Sequence, residues 1–283
     1  MVEGWILDVY PSISGEMIFW IKSREGNCIK LVDSWRPSIY VASDDVSNIE
    51  SLVERKEVQR YIHNWGFEQK IEKITDTEFS NVLRLTVKEA WQIEKLAKVI
   101  ERLAVWGVHR IYNVDVMPAQ SYFYEKNLFP LAYVKAEKKN DKIYWKLLDD
   151  IQSKDYELPL LKSVRIQITV ASGGKIPQFD DPIDTIQLQC DEQNIVISDD
   201  TESNKILDLV EIIRTMDPDI VFTAGGDRFL IPYLVKRAQV NCLSNEFVMG
   251  REKDQVRLAP NKGRSYVSYG RVMYRHPTYK FLG

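Results

Sequence analysis

Hydrophobic and polar residues alternate along several short segments of the chain, most clearly between Leu161 and Ser172. Apolar side chains stand at positions 164, 166, 168 and 170, and polar ones at 165, 167 and 169. A period of two predicts a half-buried β-strand. Because Gln167 and Thr169 are two residues apart, both side chains leave the same face of the predicted sheet.

Strand and helix patterns follow one another after this segment. The sequences DTIQLQC, NIVISD and DPDIVFTAGG predict three more strands. A helix is predicted over 203–216 and another over FLIPYLVKRAQV. This order favours a mixed sheet with helices packed on its faces. Six apolar residues of the first helix are expected to face inward: Ile206, Leu207, Leu209, Val210, Ile212 and Ile213.

The N-terminal third has the mixed pattern of an α+β domain. WILDVY and GEMIFWIKS predict a hairpin, and NCIKLVD, PSIYVAS and NVLRLTV predict further strands. IESLVERK predicts a short helix, and helical spacing of apolar residues over 88–104 predicts an amphipathic one. RIYNVDV predicts a strand that Pro118 ends.

These patterns predict an α/β protein in three parts. Residues 1–130 form a mixed α+β domain, 131–160 a connecting hairpin and linker, and 161–283 a second domain with a mixed sheet.

Composition changes this picture little. The 283 residues are 45% hydrophobic and 28% charged, as in a soluble globular protein. The net charge of −3 means that any nucleic-acid surface must be a local patch. Cys28, Cys190 and Cys242 are isolated, which argues against a disulfide framework or a zinc site. Without a signal peptide or a long apolar segment, the protein is expected to be cytoplasmic, with no membrane partner.

Several segments, in order, resemble the archaeal B-family DNA polymerases. WILDVY, SWRPSIYV and VDVMPAQSYFYEKNLFPL resemble the N-terminal domain of that family. LLDDIQSKDYELPLLKSVRIQIT and MDPDIVFTAGGDRFLIPYLVKRA resemble its first and second exonuclease motifs. The resemblance implies an N-terminal template-binding or uracil-binding domain, followed by a ribonuclease H-like 3'-5' exonuclease domain that is incomplete at the C-terminus.

The two exonuclease motifs are degenerate in this chain. The family has Asp-Ile-Glu in the first motif and Asn-x-x-x-Phe-Asp in the second, because two divalent ions need carboxylates to hold them. Gln167 and Thr169 replace the first two acids, and Leu230 replaces the third. Asp180, Asp181, Asp184 and Asp227 are expected to be loop and turn residues. We therefore predict no catalytic residue, no metal and loss of the family's magnesium ions.

The resemblance also implies a shallow pocket that captures a template uracil. Four positions match it: Pro37, Ile93, Val116 and Pro118. Pro118 and Pro11 stand where the family often has aromatic residues, although Tyr10 is adjacent to Pro11. These residues are interpreted either as a base slot or as ordinary domain core.

A second candidate surface lies between Arg251 and Gly283. This segment has eight Lys or Arg residues against Glu252 and Asp254, with aromatic residues interleaved. Such a composition suits a single-strand binding groove, but an ordinary strand pair with solvated charges has it too. The residues proposed to bind nucleic acid here are Arg264, Tyr266, Arg271 and Arg275.

The main hypothesis is therefore the DNA-binding N-terminal and exonuclease-like part of an inactivated B-family polymerase, with a role in replication or repair. Single-stranded or primer-template DNA is the expected partner, with polymerase or replication proteins as further partners. A protein-interaction scaffold and a residual metal-dependent exonuclease are the alternatives. The motifs of the polymerase domains are not found before Gly283, so we expect a piece of a longer polymerase-like protein or one part of a split one.

Overall fold

The computed structural model describes residues 1–12, 14–150, 152–190, 193–198 and 201–252, with the backbone of 257–258, 264–268, 271–275 and 279–280. The chain divides into two compact units, Met1–Pro159 and Leu160–Gly283. Both contain sheets and helices, so the predicted α/β class is confirmed. Among the described residues, no helix is both long and apolar enough to cross a bilayer.

The first unit combines two sheets with four helices in its described part. A short 3₁₀ turn, Ala90–Gln92, precedes the third helix. In chain order the elements are β1 (Val2–Pro11), β2 (Met17–Lys22), β3 (Cys28–Asp33), β4 (Ser38–Ala42), α1 (Val46–Glu54), α2 (Lys56–Gln59), β5 (Ile62–Lys70), β6 (Ser80–Val87), α3 (Ile93–Arg102), β7 (Arg110–Tyr112), α4 (Pro118–Lys126), β8 (Tyr133–Lys139) and β9 (Lys142–Leu147).

The first sheet is antiparallel and has the strand order β3-β2-β1-β8-β9. Its two edges approach each other where the Ser34 amide donates to the Asp141 carbonyl at 2.8 Å. Phe19 and Tyr122 are fully buried in its core, and α4 contributes Tyr122. The hairpin of β8 and β9, within the segment expected to connect the domains, extends this sheet.

The second sheet is also antiparallel, with the order β5-β6-β4-β7. Helices α1, α2 and α3 cover one of its faces, where Ile39, Val41, Leu83 and Leu85 are fully buried. Because side chains alternate across a strand, Ser38, Tyr40, Arg84 and Thr86 belong to the other face.

The second unit is built on one mixed sheet of the order β12-β11-β10-β13, in which only β10 and β13 are parallel. Two helices pack on one face over a core that includes Val164, Ile166 and Tyr233. Two short antiparallel pairs, β14 with β17 and β15 with β16, follow. The elements are β10 (Ser163–Val170), β11 (Ile183–Cys190), β12 (Gln193–Ile197), α5 (Glu202–Met216), β13 (Ile220–Thr223), α6 (Ile231–Val240), β14 (Arg257–Leu258), β15 (Arg264–Ser268), β16 (Arg271–Arg275) and β17 (Tyr279–Lys280).

Three local expectations were wrong, and one strand was missed. Asp184, expected in a loop or turn, lies in β11. Pro118 does not end a strand; β7 stops at Tyr112, and Pro118 begins α4. Proline suits the first helical turn because a backbone N–H at this position would have no acceptor within the helix. Leu207 is 39% exposed instead of facing inward. Strand β5 was not predicted at all.

Candidate nucleic-acid interface

The two residues matched to first-motif acids lie on the exposed face of the second unit's sheet. Gln167 and Thr169 are exposed on β10, whereas Ile166, between Arg165 and Gln167, is fully buried. Across the sheet, Gln167 pairs with Gln187 and Thr169 with Thr185. The side chains meeting here are therefore amides and hydroxyls.

Two charged residues lie on the same strand pair. Arg165 is exposed on the same face as Gln167. Asp184 is exposed at the irregular pairing beside Thr169, and its carbonyl accepts a hydrogen bond from Lys205 Nζ at 2.6 Å. In the described part of the chain, no three His, Cys, Asp or Glu side chains are grouped so that they can hold a metal.

Leu230, at the position of the third acid, does not join Gln167 and Thr169. It is 3% exposed and packs in the core with Ile166, on the face covered by the helices. The preceding turn needs both of its glycines. Gly225 has a φ of +65°, and a Cβ on Gly226 would lie 2.1 Å from Thr223 Oγ1. The sequence interpretation placed the three positions in one site, whereas the structure places them on opposite faces of the sheet.

The four positions of the expected uracil slot are not gathered in one of the described cavities. Pro37 is buried, and its carbonyl accepts from the Val87 amide at 2.9 Å. Ile93 is 5% exposed in the core beneath α3. Pro118 and Val116 are half-buried, and only Val116 lines the cavity described next. In the first sheet, the Tyr10 hydroxyl accepts a hydrogen bond from Trp20 Nε1 at 3.0 Å.

The side chains proposed in the C-terminal segment lie outside the described residues. Their backbone forms two antiparallel strands in which Arg264 is opposite Arg275, Tyr266 opposite Met273 and Ser268 opposite Arg271. Arg251, the first basic residue of the segment, forms ion pairs with Asp217 at 2.6 Å and Asp219 at 2.8 Å. Its guanidinium is therefore engaged within the unit.

The sequence reading missed the topology of the second sheet in the first unit. The order β4-α1-α2-β5-β6-α3-β7, with the strands arranged β5-β6-β4-β7, is the split βαβ pattern. Common RNA-binding modules use such a four-stranded sheet and stack bases on aromatic residues of its helix-free face. Here that face presents Tyr40 on a central strand and Arg84 on its neighbour.

An aromatic pocket of about 430 Å³ opens on this face. Its aromatic lining consists of Trp35, Tyr40, Tyr112 and Tyr124. The ammonium of Lys70 lies 5.3 Å from the centre of the Tyr40 ring. The pocket therefore combines ring faces with a cation at its wall.

Glu72 fixes the wall of the aromatic pocket. It accepts from the Tyr112 hydroxyl at 2.8 Å and from Arg110 Nε at 2.9 Å. The hydrogen bonds from Arg110 are the main reason why the pKa of Glu72 falls to about 2, against the opposing effect of burial. Glu72 is thus a carboxylate that orients Tyr112. The alternating polar residues in PSIYVAS and NVLRLTV were the sequence signals for this face.

Comparisons with known proteins give a consistent result. No protein-family model matches the chain. It is 26% identical over 247 residues to a DNA polymerase of Archaeoglobus fulgidus, covering 84% of this chain and 30% of the relative. It is 24% identical over 271 residues to DNA polymerase 2 of Aeropyrum pernix, covering 87% and 33%. The chain thus spans about a third of the length of these relatives.

A solved structure shows the same fold. The family B DNA polymerase of Pyrobaculum calidifontis matches with a TM-score of 0.72 and 19% identity, over 95% of this chain and 36% of that one. The chain is therefore a homologue of archaeal DNA polymerases, and its fold is that of the N-terminal and exonuclease region of a family B enzyme.

Proposed function

We propose that this chain is the DNA-binding, nuclease-silent front part of an inactivated family B DNA polymerase, acting on single-stranded or primer-template DNA in replication or repair. The observation that carries the proposal is the exposed face of β10, which presents the neutral side chains of Gln167 and Thr169. The resemblance to the family matches these two residues to metal-binding acids. Magnesium prefers anionic oxygen ligands. An amide, a hydroxyl and the buried isobutyl group of Leu230 do not fit a two-metal site.

DNA binding is supported by the helix-free face of the second sheet. Tyr40 and Tyr112 offer ring faces for bases, and stacking on such rings tolerates any base. The relatives that match most of the chain are named DNA polymerases. An aromatic face together with neutral residues at positions 167 and 169 favours a binding role.

The purified chain is expected to leave single-stranded and mismatched primer DNA intact in the presence of magnesium or manganese, because no carboxylate occupies positions 167, 169 and 230. Gel analysis of end-labelled oligonucleotides measures this. If the chain trims DNA in the presence of metal and Asp227→Ala abolishes the trimming, the chain is instead a nuclease that uses acids other than those of the family motifs.

The affinity for single-stranded DNA should fall as salt is added, with a linear plot of log affinity against log salt concentration, since phosphate contacts release counterions.

Uracil-containing and thymine-containing single strands of equal length are expected to bind with equal affinity. Ile93 is 5% exposed and offers little surface to a base, and only Val116 of the four matched positions lines the aromatic pocket. Excluding the thymine methyl group would be worth about 1–3 kcal/mol. A clear preference for uracil at one salt concentration would therefore establish a uracil slot despite these features.

A second candidate function is a protein-interaction scaffold for polymerase or replication proteins. The loop after α3 favours it, because Val105 is 81% exposed and Trp106 98% exposed. Tryptophan is enriched among the residues that dominate protein interfaces. Salt-independent or absent DNA binding would favour this scaffold over the DNA-binding role.

A further inference from the structure

A second cavity, of about 790 Å³, opens on the helix-free face of the second sheet. Arg84 on β6 forms part of one wall, and Lys142 and Tyr144 on β9 of the first sheet form part of the other. Arg36 and Lys126 complete a set of five side chains that we call the basic cleft. All of these residues belong to the first unit.

The basic cleft carries positive charge in a chain that is negative overall. Four Lys or Arg residues line it against two acids, Asp33 and Glu125, whereas the whole chain has a net charge of −3. Arg36 donates to the neutral carbonyl of Lys88, so its charge is not cancelled there. A concave surface with an excess of one charge sign concentrates ligands of the opposite sign, so the cleft is suited to an anion.

Both acids of the cleft are engaged by neighbouring groups. The buried carboxylate of Asp33 accepts from the Tyr122 hydroxyl at 2.5 Å. Glu125 accepts from Trp35 Nε1 at 2.7 Å and pairs with Lys126 at 3.1 Å. Arg84 pairs at 2.8 Å with Glu68, which does not line the cleft. Once Glu68, which compensates Arg84, is counted, the cleft keeps a formal excess of one positive charge, four minus three.

Tyr144 supplies an exposed aromatic ring next to these cations. It is 58% exposed, whereas Trp145 beside it packs on Phe19 with ring centres 4.9 Å apart. The ring of Trp35 packs edge-on against Tyr122 at 5.1 Å. Tyr144 is thus the aromatic ring of the cleft best placed to accept a stacked base.

We infer that the basic cleft binds a short stretch of single-stranded nucleic acid, with phosphates at Arg36, Lys126 and Lys142 and one base stacked on Tyr144. Basic groups along a groove with an aromatic platform are the two parts that such binding needs. The inference rests on the proposed DNA-binding function and adds where the strand lies.

Removing the two lysines tests the phosphate contacts. In Lys126→Ala with Lys142→Ala, affinity for oligothymidylate of about 15 nucleotides should fall about 20-fold at 0.1 M salt, with a salt slope shallower by about 1.4. Each contact on a single strand contributes about 0.7 to that slope. The matched control is Lys56→Ala with Lys98→Ala, two exposed lysines on the helices behind the sheet. This control changes net charge equally and should leave affinity nearly unchanged.

Tyr144 tests the base contact. Tyr144→Ala should weaken oligothymidylate binding by about 5- to 150-fold, as stacking on an aromatic ring predicts. Tyr144→Phe keeps the ring and should bind like the wild type. An abasic oligonucleotide of the same length has the phosphates without the bases, so its binding should not respond to Tyr144→Ala.

The outcomes separate this inference from the proposed function. If the lysine pair variant and Tyr144→Ala both bind DNA as well as the wild type, the inference that the cleft binds DNA is wrong, and the DNA-binding site lies elsewhere. Loss of affinity in the lysine pair alone, with Tyr144→Ala binding normally, shows a site for polyanions and overturns the base contact. Failure of the wild-type chain to bind any oligonucleotide refutes the proposed function and the cleft together. Thermal melting of each variant confirms that the fold is retained.

Discussion

Replacing Arg237 by methionine is expected to lower the free energy of unfolding of the second unit by about 3–5 kcal/mol. The Arg237 side chain is 8% exposed and that of Glu202 14%. Arg237 Nε and Nη2 donate to the two carboxylate oxygens at 2.7 and 2.5 Å. Methionine removes both bonds and leaves a nearly buried carboxylate without its cation, which is the costly way to break such a pair.

The measurement can follow each unit separately. All seven tryptophans precede Pro159, so tryptophan fluorescence in urea reports on the first unit. Hydrogen exchange of the β10 and β11 amides reports on the second. The control Lys236→Met changes an exposed neighbour on α6 and should cost less than about 0.5 kcal/mol. A cost below about 1 kcal/mol for Arg237→Met would mean that water reaches the Glu202 carboxylate.

The same ion pair predicts the acid sensitivity of the second unit. Burial on its own raises the pKa of Glu202, but hydrogen bonds from Arg237, Asn241 and the Ile183 amide outweigh it, so the net pKa lies below the ordinary value of 4.5. A carboxyl group whose pKa is lowered in the folded state stabilises the protein at pH values above its ordinary pKa. This contribution is lost as the pH falls below 4.5 and through the folded-state pKa.

Most strands and helices could be predicted from the sequence because one face of each is buried. Apolar residues at 164, 166 and 168 required a half-buried strand, and β10 spans Ser163–Val170. Strand β5 was not predicted because much of it is exposed, with Trp65 46% exposed and Phe67 38% exposed. An edge strand without a buried stripe gives no periodic signal.

The candidate site was predictable only where chemistry depends on residue type. Gln167 and Thr169 can be recognised as neutral substitutes in the sequence alone. Sequence spacing does not predict that Leu230 packs in the core, on the face of the sheet opposite to Gln167 and Thr169. Its position depends on the turn after β13 and on the packing of the helices. The basic cleft needs Arg84 and Lys142, 58 positions apart (142 minus 84), to meet across two sheets. The two strands that carry them belong to different sheets, so their approach is set by the packing of the whole unit and leaves no local sequence pattern.

A buried hydrogen-bond chain supports one wall of that cleft. Trp145 Nε1 donates to the Tyr122 hydroxyl at 2.6 Å, and this hydroxyl donates to Asp33 at 2.5 Å. Burial, and then the Asp33 carboxylate, raise the pKa of Tyr122 well above its ordinary value of 10. The hydroxyl therefore keeps its proton in the folded state. Its contribution to stability is present below pH 10 and is lost as the pH rises further.

Tyr122→Phe is expected to lower the free energy of unfolding of the first unit by about 2–5 kcal/mol. The change removes one oxygen but affects two partners: the Trp145 N–H loses its acceptor and the Asp33 carboxylate loses a donor. Each buried polar group left unsatisfied costs about 1–3 kcal/mol, and a charged one more. Urea unfolding followed by tryptophan fluorescence measures it. Tyr124→Phe on the same helix is the control, because Tyr124 is 67% exposed and water can replace the hydrogen bond between its hydroxyl and Gln120.

If the two variants unfold at the same urea concentration, water reaches Asp33 and Trp145. If Tyr122→Phe alone is destabilised and its affinity for oligothymidylate also falls, then this buried hydroxyl orients the wall on which the strand lies.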